Sequence, residues 1–293
     1  MDGVLVLDKP SGWTSHDAVN KARRLMGTRR IGHLGTLDPM ATGVLPLVVG
    51  RATRLAQFYT RNAKSYEAVI RFGHSTHSYD RDGTPTSEPV APELDAAEID
   101  DLLNRFRGAF DQVPPPVSAK KVGGQPAHKL TRKNVEFTLE PVPVEVYSLE
   151  LLETRETEIV IRLRCSAGTY VRSIAHELGQ LTGFGAYVEQ LRRTQSGDFT
   201  LDQAVTLPAL EALAAEGRQA SILVPPAEML PEMPIERVDA LTAGQIRQGR
   251  DFRTSPFRAH GPAKYIKAVD EGGDLVAIGE IRLPNVYHPI LVL

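Results

Sequence analysis

The chain contains one cysteine, Cys165, in 293 residues. A lone thiol excludes an internal disulfide framework and fits a reducing compartment. Long hydrophobic runs are missing too: no stretch approaches the roughly 18 apolar residues that a membrane span needs. The opening MDGVLVLDKPSGW has neither a basic leader nor a small-residue cleavage site. A secretory signal is therefore not expected; the cytoplasm is the expected address, with no membrane. There is little net charge, because 34 basic and 36 acidic residues leave −2. What is present is 42% hydrophobic and 24% charged, the composition of an ordinary folded protein with material for a real core. The length predicts two domains.

Near-neutrality conceals segregation. Residues 1–65 carry ten Lys and Arg against four Asp, and 117–135 carry Lys120, Lys121, Lys129, Arg132 and Lys133 with no acid. Residues 245–267 carry six basic side chains against Asp251. The compensating acids gather in 80–111 and 136–158. Such a distribution can offer a positive face to phosphates. Solvated helix faces that balance by chance give the same counts.

Along the chain, Gly3–Asp8 reads as a buried strand ending at the turn signal Lys9-Pro10-Ser11-Gly12. Thr14 or Ser15 caps a helix with the apolar stripe Ala18, Val19, Ala22, Leu25 and Met26, terminated at Gly27. Residues 30–50 hold four glycines and two prolines, so their first half is expected to be loop and Val44–Val49 to be strand or helix. Tyr66–Phe72 alternates as a strand, Leu94–Gly108 and Thr169–Leu181 have helical stripes, and Val144–Leu152 with Glu158–Cys165 read as paired strands. Lys120–Asn134 reads as a mobile basic loop. Prolines 225, 226, 231 and 234 mark a linker, followed by β-type segments at Tyr265–Val269 and Leu275–Ile281. The expected domains are 1–228 and 229–293. The pattern alone gives a mixed α/β chain.

Chemistry has two candidate locations. Gly32-His33-Leu34-Gly35-Thr36-Leu37-Asp38-Pro39 puts one carboxylate in a glycine-flanked loop. Pro39 biases Asp38 toward extended backbone and glycines allow close approach of a ligand. An aspartate in such a turn can equally serve the turn itself. His33 and Asp38, five apart in a loop, do not make a metal pattern. His74, His77, Asp80 and Asp82 are ligand types at close spacing, and a polar turn after the Tyr66–Phe72 strand explains them as well.

Several blocks together narrow the choice. LDKPSG, GHLGTLDPMATGVLPLVVGRATR, KSYEA from Lys64, QVPPPVSAK from Gln112, CSAGTYVRSIAHELG from Cys165 and the Leu191-Arg192-Arg193 turn stand in order over about 190 residues. This series resembles the bacterial tRNA pseudouridine synthase B (TruB) family. The resemblance implies a pseudouridine synthase core, a largely antiparallel mixed sheet with flanking helices, in residues 1–228. It implies a small β-rich, PUA-like RNA-binding domain in 229–293, for which a structural cap is the alternative. It implies isomerisation of uridine 55 in the tRNA T-loop, with no cofactor, metal or obligatory protein partner, by a monomer.

The residues follow by position. Asp38 matches the essential aspartate, Arg172 its guanidinium partner, and Tyr66 the tyrosine beside the target base. Tyr170 and Leu191 match the base pocket and His33 the loop histidine that braces an extruded nucleotide. Lys9, Lys120, Lys121, Lys129, Arg132 and Arg192 join the substrate-binding set, with 117–135 as a clamp on the T-arm and Arg193 as a further phosphate contact. Two departures stand out: His128 replaces the aromatic expected after the basic turn, and His77-Ser78-Tyr79-Asp80-Arg81-Asp82-Gly83 stands where the family reads T-x-T-D-x-x-G. A tRNA-folding chaperone, a guide-RNA-dependent relative and a metallohydrolase are the competing readings. An arginine-paired carboxylate in a base pocket has no purpose in a chaperone, and the basic insertion favours a self-sufficient enzyme.

Overall fold

The computed structural model describes residues 1–118, 120–131, 133, 135–255 and 263–293, without the side chains of 126, 128 and 129. Its main sheet takes β1 (Gly3–Lys9), β2 (Ile31–His33), β3 (Thr42–Val49), β4 (Lys64–Phe72) and β5 (Gly108–Gln112) from the first part of the chain. A two-stranded hairpin, β6 (Lys121–Val122) and β7 (Gln125–Pro126), lies apart from it. The sheet then continues with β8 (Val142–Thr154), β9 (Glu158–Cys165), β10 (Ala186–Ser196), β11 (Phe199–Thr200) and β12 (Val205–Thr206). The order is β12-β1-β3-β10-β4-β9-β8-β5, with β2 on β3 and β11 on β10. Pairing is antiparallel except β1 with β12 and β3 with β10.

One face of this sheet is covered by α1 (Ser15–Leu25), α2 (Ala96–Leu103), α4 (Val171–Thr182) and α5 (Leu207–Ala215), and α3 (Ala127–Thr131) follows the hairpin. The start of α1 is fixed by a capping box, Thr14 with Asp17, and Gly27 follows its end at φ +64°. These are the signals the sequence carries. The second sheet, β13 (Ile235–Val238), β14 (Phe252–Arg253), β15 (Tyr265–Asp270), β16 (Leu275–Leu283) and β17 (Val286–Val292), has the order β13-β15-β16-β17-β14 beside α6 (Ala240–Arg247). Among the described residues no helix is long and apolar enough to cross a membrane.

Several expectations need correction. The Leu94–Gly108 helix shortens to α2 plus a 3-10 turn at Asn104–Phe106, because the Asp95 carboxylate caps only from Ala97 onward. Part of the loop before Asp38 is the strand β2, held on β3. The basic loop is a hairpin, since Gly123 and Gly124 both take positive φ and close a two-residue turn. The proline-rich stretch is packed: Met229 is buried, and the Lys267 ammonium donates to the carbonyls of Ala227 and Met229, both at 2.8 Å. Val4, Val44 and Leu55 of the first sheet region share a core with Met229, Val269 and Ile278, so the two sheets are joined by apolar contact.

The parallel contact of β3 with β10 is short, covering Thr42–Arg192 and Gly43–Arg193. Gly43 sits there at φ +99°, and an added Cβ would lie 2.2 Å from the Arg193 carbonyl oxygen. Gly43→Ala is expected to lose about 3 kcal/mol of stability in urea unfolding through strain and overpacking; an unchanged midpoint would contradict the close approach.

Candidate active site

Asp38 rides on a loop between β2 and β3 that is bolted on both flanks. The Ser15 hydroxyl, at the buried first turn of α1, donates to the Leu37 carbonyl at 3.0 Å and accepts from the Leu37 amide at 2.8 Å. The Gly12 amide donates to Pro39, and Leu37 and Met40 plug into the core on either side. Lys9 is fully buried, its ammonium donating to the carbonyls of Pro10, Trp13 and Pro39. Burial pushes it down to about 8, against the pull of the Asp38 charge. Lys9 therefore supports the loop and is not open to a ligand, contrary to its place in the substrate-binding set.

Arg193 corrects another expectation. It is fully buried in β10, with Nε donating to Val44 and its terminal nitrogens to Thr36 and Gly35. A guanidinium enclosed at 0% exposure and bonded to three backbone carbonyls is out of reach of phosphate; it fixes the glycine loop instead. Arg192 points the other way, half-exposed, and pairs with Asp8 at 2.8 Å.

The Arg172 guanidinium, buried in the first turn of α4, meets Asp38. Nη2 donates to Oδ1 at 3.0 Å, and Nε sits 2.9 Å from Oδ2 as a charge contact without an aligned hydrogen bond. Its Nη1 donates to the Ser78 carbonyl at 2.9 Å and lies 3.5 Å from Asp80, while Val117, at the root of the basic hairpin, accepts from both terminal nitrogens. One side chain thus ties the Asp38 loop, the 78–80 turn and the hairpin's root. The Asp38 side chain remains 32% exposed against 3% for Arg172, so the carboxylate is aimed yet reachable.

Asp80 went unrecognised as part of this centre, although it was the retained carboxylate of the altered turn. Burial pushes it up, opposed by the Ser78 hydrogen bond and the Arg172 charge. The turn is locked by Tyr79, a non-glycine at φ +63° whose ring stacks 3.7 Å over His176, one turn beyond Arg172 on α4. His74 packs on Tyr187 and His77 accepts from the Thr84 amide; among the described residues no group of three His, Cys, Asp or Glu could hold a metal.

A cavity of about 330 Å³ opens on the pair, walled by Tyr66, Tyr170, Leu191 and the Gly35–Leu37 backbone. Tyr66 lies opposite Arg193 in the β4–β10 ladder, and burial pushes its hydroxyl up. Tyr170 precedes α4, its backbone clasped on both sides by the buried Gln112 amide, another residue whose part was not recognised in the sequence. His33 sits at the end of β2, its Nδ1 accepting from the Gly35 amide; burial, with the charges of Arg193 and His16, pushes it down. It does not line the cavity. Lys120 and Lys121 are exposed on the hairpin, while Arg132 and the Lys129 side chain lie outside the described residues.

Removing Arg172 leaves Asp80 buried without a counter-charge. Arg172→Met is expected to cost about 3 kcal/mol in urea unfolding at neutral pH. Asp80 then moves further above its unfolded value, so the folded state binds the extra proton and stability falls as pH rises. The loss should shrink toward pH 5; a loss independent of pH would contradict the buried-charge account.

Known proteins match along the whole chain. The profile described as "TruB family pseudouridylate synthase (N terminal domain)" covers residues 23–171, and "tRNA pseudouridylate synthase B C-terminal domain" covers 172–231. The tRNA pseudouridine synthase B of Solibacter usitatus (strain Ellin6076) is 59% identical over 293 residues, 100% of both chains. That of Aquifex aeolicus (strain VF5) is 37% identical over 284 residues, 96% of each. A solved H/ACA RNP bound to a substrate RNA containing 2'-deoxyuridine superposes with a TM-score of 0.73 at 23% identity, covering 99% of this chain and 84% of that one. A Cbf5-Nop10-Gar1 complex gives 0.71 at 24%, covering 97% and 79%. These two likenesses concern the fold, which is the pseudouridine synthase core with a β-rich C-terminal domain. Ordered motifs, matching profiles and full-length relatives agree: the chain belongs to the TruB family of pseudouridylate synthases.

Proposed function

We propose that this enzyme isomerises uridine 55 of the tRNA T-loop to pseudouridine, with Asp38 as the acting carboxylate on an extruded nucleotide. The observation that carries the reading is the Asp38–Arg172 pair opening on a cavity walled by two tyrosines. A volume of about 330 Å³ is at the lower end of small-ligand sites and suits one nucleoside. The isomerisation breaks the N1–C1′ bond, turns the uracil and forms a C5–C1′ bond; C5 loses its proton and N1 gains one. Atoms and electrons balance without a co-reactant. One ionised carboxylate suffices as nucleophile or base, and the guanidinium fixes its direction.

Extrusion follows from access, because neither C1′ nor both faces of a stacked uracil can be reached. Tyr66 supplies a ring against which the freed base can lie. Exposed Lys120 and Lys121, at the start of the 121–126 hairpin, offer cations to T-arm phosphates, and the PUA-like domain adds a second RNA surface. The enzyme works as a monomer in the cytoplasm, without an obligatory protein partner.

The test is release of tritium from C5-labelled uridine in a T-arm transcript. Asp38→Asn should abolish release and leave RNA binding within a few-fold. Release by the purified variant would overturn the assignment of Asp38, and binding without release by the wild type would favour the chaperone.

A further inference from the structure

Among the described residues that line the cavity beside Asp38, Lys64 is a cation that the proposed reaction leaves unused. Lys64 opens β4 two residues before Tyr66, and both line the cavity. The two-residue period of a strand puts them on one face. The Lys64 ammonium donates to a single protein acceptor, the Asn62 carbonyl at 3.1 Å, and pairs with no carboxylate among the described residues. An ammonium has three donors, so two remain.

The neighbouring cations are committed elsewhere. Arg172 faces Asp38 and Asp80, Arg192 faces Asp8, and Lys9 and Arg193 are each bonded to three backbone carbonyls. Lys9 and Arg193 bring positive charge with no carboxylate bonded to it. Burial and the Arg193 charge push Lys64 below its ordinary range, which an arriving anion would reverse. The room is built in: Gly35 stands at φ +125°, where an added Cβ would come within 3.2 Å of Lys64 Cε. A half-buried cation with spare donors, in the cavity that would receive the base, suits a ligand oxygen bearing negative charge.

We propose that Lys64 binds a phosphodiester oxygen flanking the nucleotide whose base lies against Tyr66. The proposal rests on the RNA-isomerase reading and deepens it. Phosphate contacts fix the register of a nucleic-acid chain without reading its sequence. Lys64 would thus set which nucleotide meets Asp38, acting as a binding and positioning residue.

Steady-state kinetics on T-arm stem-loops test it, using the wild type, Lys64→Gln, Lys64→Met and Lys64→Arg. Each meets the normal RNA and two RNAs with one neutral methylphosphonate, placed 5′ or 3′ of the target uridine. Both neutral variants should raise KM about ten-fold with a smaller effect on kcat, and Lys64→Arg should recover most of the loss. One of the two methylphosphonates should cost the wild type about ten-fold and the neutral variants almost nothing. Equal methylphosphonate costs in wild type and neutral variants, or a neutral variant with wild-type KM, would overturn the role of Lys64. A wild type inert on the unmodified stem-loop would instead overturn the RNA reading beneath it.

Discussion

The structure turns on one guanidinium. Arg172 is buried, and an isolated charge there would be costly unless paired and fully hydrogen-bonded. Asp38 and Asp80 pair the charge and the Ser78 and Val117 carbonyls accept from its terminal nitrogens, while Nε has only its charge contact with Asp38. Because these groups come from three segments far apart in sequence, satisfying the charge forces the segments together. Asp38 is the most exposed of the two carboxylates, so the arrangement that neutralises Arg172 also leaves an aimed oxygen at the cavity wall.

Around this centre, buried cations repeatedly organise irregular backbone. Lys9 ties the Pro39 carbonyl of the Asp38 loop to the Pro10 and Trp13 carbonyls of the turn after β1, Arg193 gathers those of Gly35, Thr36 and Val44, and Lys267 those of the 227–229 stretch. Loops rich in glycine and proline have carbonyls that no ladder satisfies, and a buried carbonyl without a donor is unfavourable. Long basic side chains reaching in from neighbouring strands supply the donors. The glycines then become obligatory: at Gly43 the backbone passes too close to Arg193 for any side chain.

Much of this was legible in the sequence where local signals decide. Thr14, Asp17 and Gly27 bounded α1, alternation marked β4, and the ordered blocks brought Asp38 and Arg172 together before any geometry was known. Failures fell where long-range contacts decide. A lysine or arginine in a motif looks like a phosphate contact, yet Lys9 and Arg193 are enclosed, because burial depends on which strands pair on either side. Asp80 was obscured by the histidines around it, and its proximity to Arg172 is a consequence of the turn crossing onto α4. Gln112 and Lys64 lay inside recognised blocks but carried no local signature of what they would face.

The planar fork of Arg172, beyond its charge, holds Asp38 in aim. Single-turnover kinetics of Arg172→Lys on a T-arm stem-loop test it directly, since lysine keeps the charge and loses the fork. The rate of pseudouridine formation should fall by about 100-fold or more, with RNA affinity within a few-fold. A rate within about three-fold of wild type would show that charge alone is enough and that the fork has no part in aiming Asp38.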